Sequence, residues 1–285
     1  MTTLRDIKKR LHSAANIQHI TKAMEMVAAV RLRKALNKLE LFRPYAEKMH
    51  QMLQQLARAS NEVSHPLFEE RTERKKGVLI ITADKGLCGA YNNNVIQAAE
   101  KLLRKDEYSG AVLFLVGNKA IEHFKKQPWE IKFSMRDLSN KMNASEVEKL
   151  SSFLVEGFLK REWDEITIVY TIFKNILSRQ IRIDNFLPIS KGEIDATAPS
   201  IDYIFEPSAE EIYSVLIPRY CFTRLMKVLS EAQVSELGAR VTAMKAATKN
   251  ADEMIEKLTL IRNKVRQAGI TKEMLEITAG AEGLE

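Results

Sequence analysis

The side chains with which this chain of 285 residues could do chemistry are few: five histidines, two cysteines and one glycine-bearing loop, Ala83-Asp84-Lys85-Gly86-Leu87-Cys88-Gly89-Ala90-Tyr91-Asn92-Asn93-Asn94. A glycine turn between a strand and a helix is where nucleotide domains hold phosphate, because the helix-terminal amides point at the ligand. This loop has neither GxxxxGK[ST] nor GxGxxG, the spacings that give amides and a lysine the required geometry. A tight turn whose asparagines cap the next helix is its expected use. Asp84 and Cys88 offer a carboxylate and a thiol, yet no histidine lies near them in sequence. His12, His19, His50, His65 and His123 fall at no metal-ligand spacing, with His12 and His19 read as helix-surface residues and His65 as a loop residue before Pro66. Cys88 and Cys221 form no CxxC and read as reduced structural thiols. No catalytic residue, metal or cofactor is expected.

The elements that must position these groups are written in the apolar spacing. Leu4, Ile7, Leu11, Ala14, Ile17, Ile20, Met24 and Val27 recur at steps of three and four, the helical period. Ala35, Leu39, Phe42, Ala46, Met49, Leu53 and Leu56 continue with the alternating steps of a coiled-coil seam. No glycine precedes Gly77, so one helix over about residues 3–58 is expected, with Pro44 kinking or dividing it. The C-terminal end repeats the period through Leu237, Met244, Ala247, Ala251, Met254, Leu258, Ile261, Val265 and Ala268, with Arg240 at the polar place in the row. Neither stripe can be buried alone, so each helix is the other's partner. Set antiparallel, Leu4 faces Ile261, Ile7 faces Leu258, Leu11 faces Met254 and Ala14 faces Ala251, each pair of numbers totalling 265, with Met24 near Arg240. That pairing leaves residues 266–285 as an unpaired overhang of about 30 Å.

Between these helices the punctuation changes. Gly77–Ala83 and Ala111–Val116 are continuous apolar runs, as in strands buried on both faces. Helical stretches follow at about 93–105, 118–126 and 144–161, with further strands near 131–135, 166–170, 181–187 and 201–205. Alternating strand and helix implies a parallel sheet. A mixed α/β protein is therefore expected, in which a long antiparallel coiled coil (1–60 with 208–285) is interrupted by a Rossmann-like α/β domain (75–207).

Charge separates the segments. Residues 1–60 carry 12 Lys/Arg against 4 Asp/Glu, a local charge of +8, so the remainder of a +7 chain sums to −1. The basic helix should meet something acidic. Nucleic acid fits poorly, because interleaved aromatics and base-reading elements are lacking. No run approaches the roughly 20 apolar residues of a membrane-spanning helix, and the basic N-terminus reads as structure rather than as a targeting peptide.

Three stretches then carry a resemblance. Ile17-Gln18-His19-Ile20-Thr21-Lys22-Ala23-Met24-Glu25-Met26-Val27-Ala28-Ala29, the loop Asp84–Asn92, and Arg266-Gln267-Ala268-Gly269-Ile270-Thr271-Lys272-Glu273 with Ala279-Gly280-Ala281 resemble the signatures of the gamma subunit of F-type ATP synthases. The likeness spans essentially the whole chain. It implies a rotor rather than an enzyme: a shaft inside a ring of three alpha and three beta subunits, and a foot resting on the membrane c ring beside epsilon. Transmembrane proton flow would turn it and drive ATP synthesis or hydrolysis in the ring. The resemblance implies that Arg266, Gln267, Thr271 and Glu273 contact the upper bearing of the ring. It also implies that Met24 lies near acidic loops of beta, with Lys22, Arg31, Arg33, Lys34 and Arg240 as the neighbouring contact residues. A peripheral place on the cytoplasmic face of a bacterial inner membrane follows, with membrane association only through the complex and no nucleic acid. Gly238 and Gly269 stand where the family usually has larger helix formers, and the chloroplast type's regulatory cysteine segment is absent. A nucleotide-dependent α/β enzyme with a coiled-coil arm is the alternative reading.

Overall fold

The computed structural model describes residues 3–59, 65–71, 75–136, 144–189 and 209–282. In chain order they form α1 (Leu4–Ala59), β1 (Lys76–Ile81), α2 (Tyr91–Leu103), β2 (Val112–Val116), α3 (Asn118–Phe124), β3 (Ile131–Met135), α4 (Ala144–Leu159), β4 (Glu165–Phe173), β5 (Arg179–Leu187) and α5 (Ala209–Glu282). The strand expected at 201–205 lies outside the described residues. Pro44 and Pro218 sit inside α1 and α5, and neither divides its helix. Buried neighbours on each side, Leu39 and Ala46 in α1 and Ile217 and Tyr220 in α5, hold the chain helical where one backbone bond is lost. The chain falls into two compact units, residues 1–28 with 241–285, and residues 29–240.

In the first unit α1 starts at a reciprocal cap. Thr3 Oγ1 accepts from the Asp6 amide at 3.2 Å and the Asp6 carboxylate accepts from the Thr3 amide at 3.2 Å. The Thr3 hydroxyl, which donates to the Asp6 carboxylate at 2.7 Å, and the Thr3 amide hold that carboxyl below its ordinary value. The two helices run antiparallel with a strict heptad seam, but in a register different from the expected one. Gln18 Nε2 donates to Asp252 at 2.8 Å and Thr248 Oγ1 to Thr21 Oγ1 at 2.9 Å, so paired numbers total 270 and 269 rather than 265. The seam passes through Ile7, Ala14, Thr21 and Ala28 and meets Met244, Thr248 and Ala251. Ile17 (53% exposed), Ile20 (59%) and Met254 (54%), all placed in the seam by the expected pairing, face outward, as do Val27 and Ile261. The physical reason is that a 3.5-residue seam and a 3.6-residue helix drift apart, so a stripe followed by eye slides off the buried line.

In the second unit a five-stranded sheet has the order β3-β2-β1-β4-β5. β1 to β4 are parallel, as expected from the alternation of strand and helix, while β5 pairs with β4 antiparallel and closes that edge. The all-parallel expectation fails there because only residues 174–178 join β4 to β5, too few for the crossover that a parallel pair needs. One sheet face packs against α2 and α3 around Val78, Ile80, Val95 and Phe124. The other packs against α4 and the facing parts of α1 and α5, burying Leu79, Phe114, Trp163, Met49, Leu53, Leu225 and Leu229. Among the described residues no helix is long and apolar enough to cross a membrane.

Candidate functional site

The loop between β1 and α2 is held from several sides. Asn92 Oδ1 accepts from the Ala83 amide at 2.9 Å, and Asn92 Nδ2 donates to Cys88 Sγ at 3.2 Å and to Lys85 O at 3.5 Å. Asn92 therefore ties the loop to itself. The helix-capping role expected of it is not found, since the α2 cap at Ala90 has no side-chain bond. Asp84 reaches away instead, accepting from the Asn118 amide at 3.1 Å at the start of α3, where Thr82 Oγ1 also accepts from Ala120 N at 2.9 Å. On the α5 side, Tyr91 OH donates to Ala232 O at 3.1 Å, and Cys88, Tyr91, Ala83 and Ala239 share a small apolar cluster.

Arg240 closes the arrangement. Its Nε donates to Glu236 Oε1 at 2.8 Å, its Nη2 to the same oxygen, and its Nη1 to Gly86 O at 2.7 Å. Glu236 is only 4% exposed. Burial pushes its carboxyl above the usual glutamate range, and the Arg240 guanidinium opposes that rise. The sequence signal for Glu236 was its i,i+4 spacing to Arg240, which places the two side chains on one helix face. Burial and the neighbouring Glu236 raise the Cys88 thiol, and burial pushes Cys221 up to about 12, so neither is a thiolate poised for attack. The carbonyl of Gly86 in this loop is thus occupied by a guanidinium.

Three of the histidines do structural work. His65 Nδ1 accepts from the Leu67 amide at 3.2 Å, His50 meets Tyr220 OH at 3.2 Å and Gln54 at 3.0 Å, and His123 pairs with Glu100 at 2.8 Å. Among the described residues no group of three or more His, Cys, Asp or Glu could hold a metal ion.

The remaining predicted contact residues divide between the units. In the helix pair, Lys22 is exposed and pairs with Glu25 at 3.1 Å, while Met24 is half-buried. Arg266, Gln267, Thr271 and Glu273 are all exposed on the last turns of α5, with Thr271 Oγ1 donating to Gln267 O at 3.0 Å. In the sheet-bearing unit Arg31, Arg33 and Lys34 are exposed on α1, and Arg31 adds a stabilising charge toward Glu236. Met24 and Arg240, expected side by side, belong to different units.

A sequence model described as "ATP synthase" matches residues 3–284. A chain named ATP synthase gamma chain from Protochlamydia amoebophila (strain UWE25) is 46% identical over 285 residues, covering all of both chains. One of the same name from Desulforamulus reducens is 40% identical, again over the whole of both. This chain belongs to the ATP synthase gamma chain family. Solved structures share its fold. A chain of the Euglena gracilis mitochondrial ATP synthase aligns with TM-score 0.69 at 19% identity, covering 99% of this chain and 94% of its own. A chain of the Tetrahymena thermophila mitochondrial ATP synthase central stalk and c ring gives 0.60 at 23%, covering 80% and 99%. Within the family frame, the loop Asp84–Asn92 is the piece that the Glu236–Arg240 pair grips, and the stretches Ile17–Ala29 and 266–281 leave apolar side chains uncovered.

Proposed function

We propose that this chain is the central-stalk rotor subunit of an F-type ATP synthase, which couples transmembrane proton flow to ATP synthesis or hydrolysis by turning among the catalytic subunits. The observation that carries the reading is the surface of the helix pair. Ile17, Ile20, Met26 and Val27 on α1, and Met254, Leu260, Ile261, Ile270, Met274, Leu275 and Ile277 on α5, are large apolar side chains left in solvent. Such a surface calls for cover by another protein, and the basic residues beside it favour an acidic one. In this reading an alpha3beta3 ring supplies that cover, while epsilon and the membrane c ring meet the sheet-bearing domain. The shaft comprises residues 1–60 and 208–285 and the foot residues 75–207.

The chain itself forms and breaks no bond. Its asymmetric surface stabilises different conformations of three identical neighbours in turn, a population shift set by differential contacts. Each proton crossing 100 mV supplies roughly 2.3 kcal/mol, so several must be summed for each ATP, and a stiff helix pair does the summing. Lys22, Met24, Arg31, Arg33, Lys34 and Arg240 serve as contacts to the ring's lower loops, and Arg266, Gln267, Thr271 and Glu273 as contacts to its bearing. The complex sits peripherally on the cytoplasmic face of a bacterial inner membrane. Reconstitution of the chain with alpha and beta subunits tests this: an assembled hexamer containing one copy is expected. Tight binding of ATP or NAD by the chain alone, with no assembly, would instead favour a nucleotide-dependent enzyme.

A further inference from the structure

Two described non-glycine residues adopt positive φ, Leu87 at 63° and Arg161 at 60°. Arg161 has a local reason. It follows α4, and the amides of Arg161 and Glu162 return to Phe158 O and Gly157 O, the ordinary left-handed close of a helix. Leu87 ends no helix. It is a leucine in a conformation that glycine adopts without penalty, and it is 61% exposed. Such a residue persists only where its surroundings over-determine it. The surroundings here are the Arg240 guanidinium on the carbonyl of the preceding residue, the Cys88 and Asn92 side chains on Lys85 O, and the buried Cys88–Tyr91–Ala239 cluster on the following side. Glu236 acts on the loop through Arg240. It holds two nitrogens of Arg240, which leaves the third aimed at Gly86.

We infer that Glu236 is the positioning residue of a clasp that fixes Arg240 on Gly86 O and so holds Leu87 outward, as an apolar contact of this loop with a neighbouring subunit. A buried Glu–Arg pair is a weak source of stability compared with apolar packing and a good source of a unique geometry. Its single guanidinium joins α5 to the loop after β1, so helix and loop move as one body. The exposed Leu87 beside the cationic Lys85 fits a partner surface that offers an apolar pocket with a carboxylate at its rim. The contact half of the inference rests on the rotor reading, whereas the clasp stands on this chain alone.

The test uses the full chain, free and reconstituted with the alpha and beta subunits and the membrane sector. Cys88 lies inside the clasp and Cys221 elsewhere in the same unit, both buried, so their alkylation by a maleimide separates local opening from general loosening. Glu236→Gln should raise the rate at Cys88 about tenfold and leave Cys221 unchanged, and Glu236→Asp should recover part of the protection. In the complex, Glu236→Gln and Leu87→Ala should each lower the proton pumping obtained per ATP hydrolysed. Leu87→Gly should lower it too while keeping a thermal midpoint at or above that of the parent chain, since the left-handed backbone is then relaxed. If both thiols open together, or neither does, the clasp is refuted. If Cys88 opens alone but coupling is intact in Glu236→Gln and Leu87→Ala, the contact role of Leu87 is refuted. Failure of the parent chain to assemble would refute the rotor reading and leave the thiol result standing.

Discussion

Replacing Gly157 by alanine should destabilise the sheet-bearing unit, although a glycine inside a helix invites the opposite expectation. By helix propensity alone the change gains about 1 kcal/mol. The added Cβ, however, would lie 1.9 Å from Trp163 Cζ2, 2.3 Å from Cη2 and 2.5 Å from Cε2. Trp163 has nowhere to retreat. It is fully buried, its Nε1 donates to Leu154 O at 2.9 Å, and its ring meets Phe114 edge-on with centroids 4.9 Å apart. Leaving that donor buried and unpaired costs about 1–3 kcal/mol, and forcing the surrounding core to shift adds about 1–3 kcal/mol. Against the propensity gain, the net loss is roughly 1–5 kcal/mol, with a middle value of about 3 kcal/mol or about 10 °C in thermal midpoint for a unit of this size. Both tryptophans, Trp129 and Trp163, belong to the sheet-bearing unit, so fluorescence-detected melting reads the effect where it occurs. Adding Trp163→Phe, which removes the atoms in conflict, should recover part of the loss, and the two changes should be non-additive. A Gly157→Ala midpoint equal to or above the parent's would refute the close-packing argument.

Other outcomes follow from single residues. Gly269 has nothing within 4 Å of an added Cβ, so Gly269→Ala should firm the end of α5 by about 1 kcal/mol, seen as slower amide exchange around it. Met24→Lys puts a cation at a half-buried place on α1 and should reduce coupling between ATP hydrolysis and proton pumping in membrane vesicles; unchanged coupling would remove Met24 from the contact surface. Burial raises the Glu231 carboxyl above its ordinary value, with Lys227, Arg43 and Arg182 opposing and Asp184 reinforcing. The folded chain therefore holds that proton more tightly than the unfolded one. The charged form costs stability above the raised value, and the cost fades as pH falls through it toward the ordinary glutamate range. Glu231→Gln should accordingly raise the thermal midpoint at neutral pH and flatten its dependence on mild acidification; an unchanged pH profile would count against the burial argument.

The fold was legible because burial leaves a period behind. Continuous runs at Val78–Ile81 and Leu113–Val116 announced strands covered on both faces, and the steps of three and four announced the helices. The loop chemistry was half legible: the glycines and asparagines of 84–94 marked a turn, and Asn92 bonds within that turn rather than capping α2, but the closure of Arg240 on Gly86 O joins residues 154 positions apart, for which a single sequence has no signal. Glu236 lay within reach through its spacing to Arg240, and it was hidden because an i,i+4 pair reads equally well as a solvated helix face.

The helix pair shows why register was the hardest feature to read. A heptad seam may slip and still set apolar against apolar, so sequence ranks alternatives only by how many large side chains each one buries. That criterion favours drawing Ile17, Ile20, Met254 and Ile261 into the seam, where the structure instead sets Thr21 against Thr248, with Gln18 reaching out to an exposed Asp252 at its margin. Two cross-helix hydrogen bonds between polar groups fix one alignment more sharply than interchangeable apolar contacts do, at some loss of apolar burial within the chain. The displaced isoleucines and methionines are then left in water, and their exposure is unfavourable for a free chain. A sequence under no demand but its own folding would place polar residues outside and apolar ones in the seam. This one does the reverse along part of the pair, so the apolar side chains that fit no internal seam mark the surface that another subunit must cover.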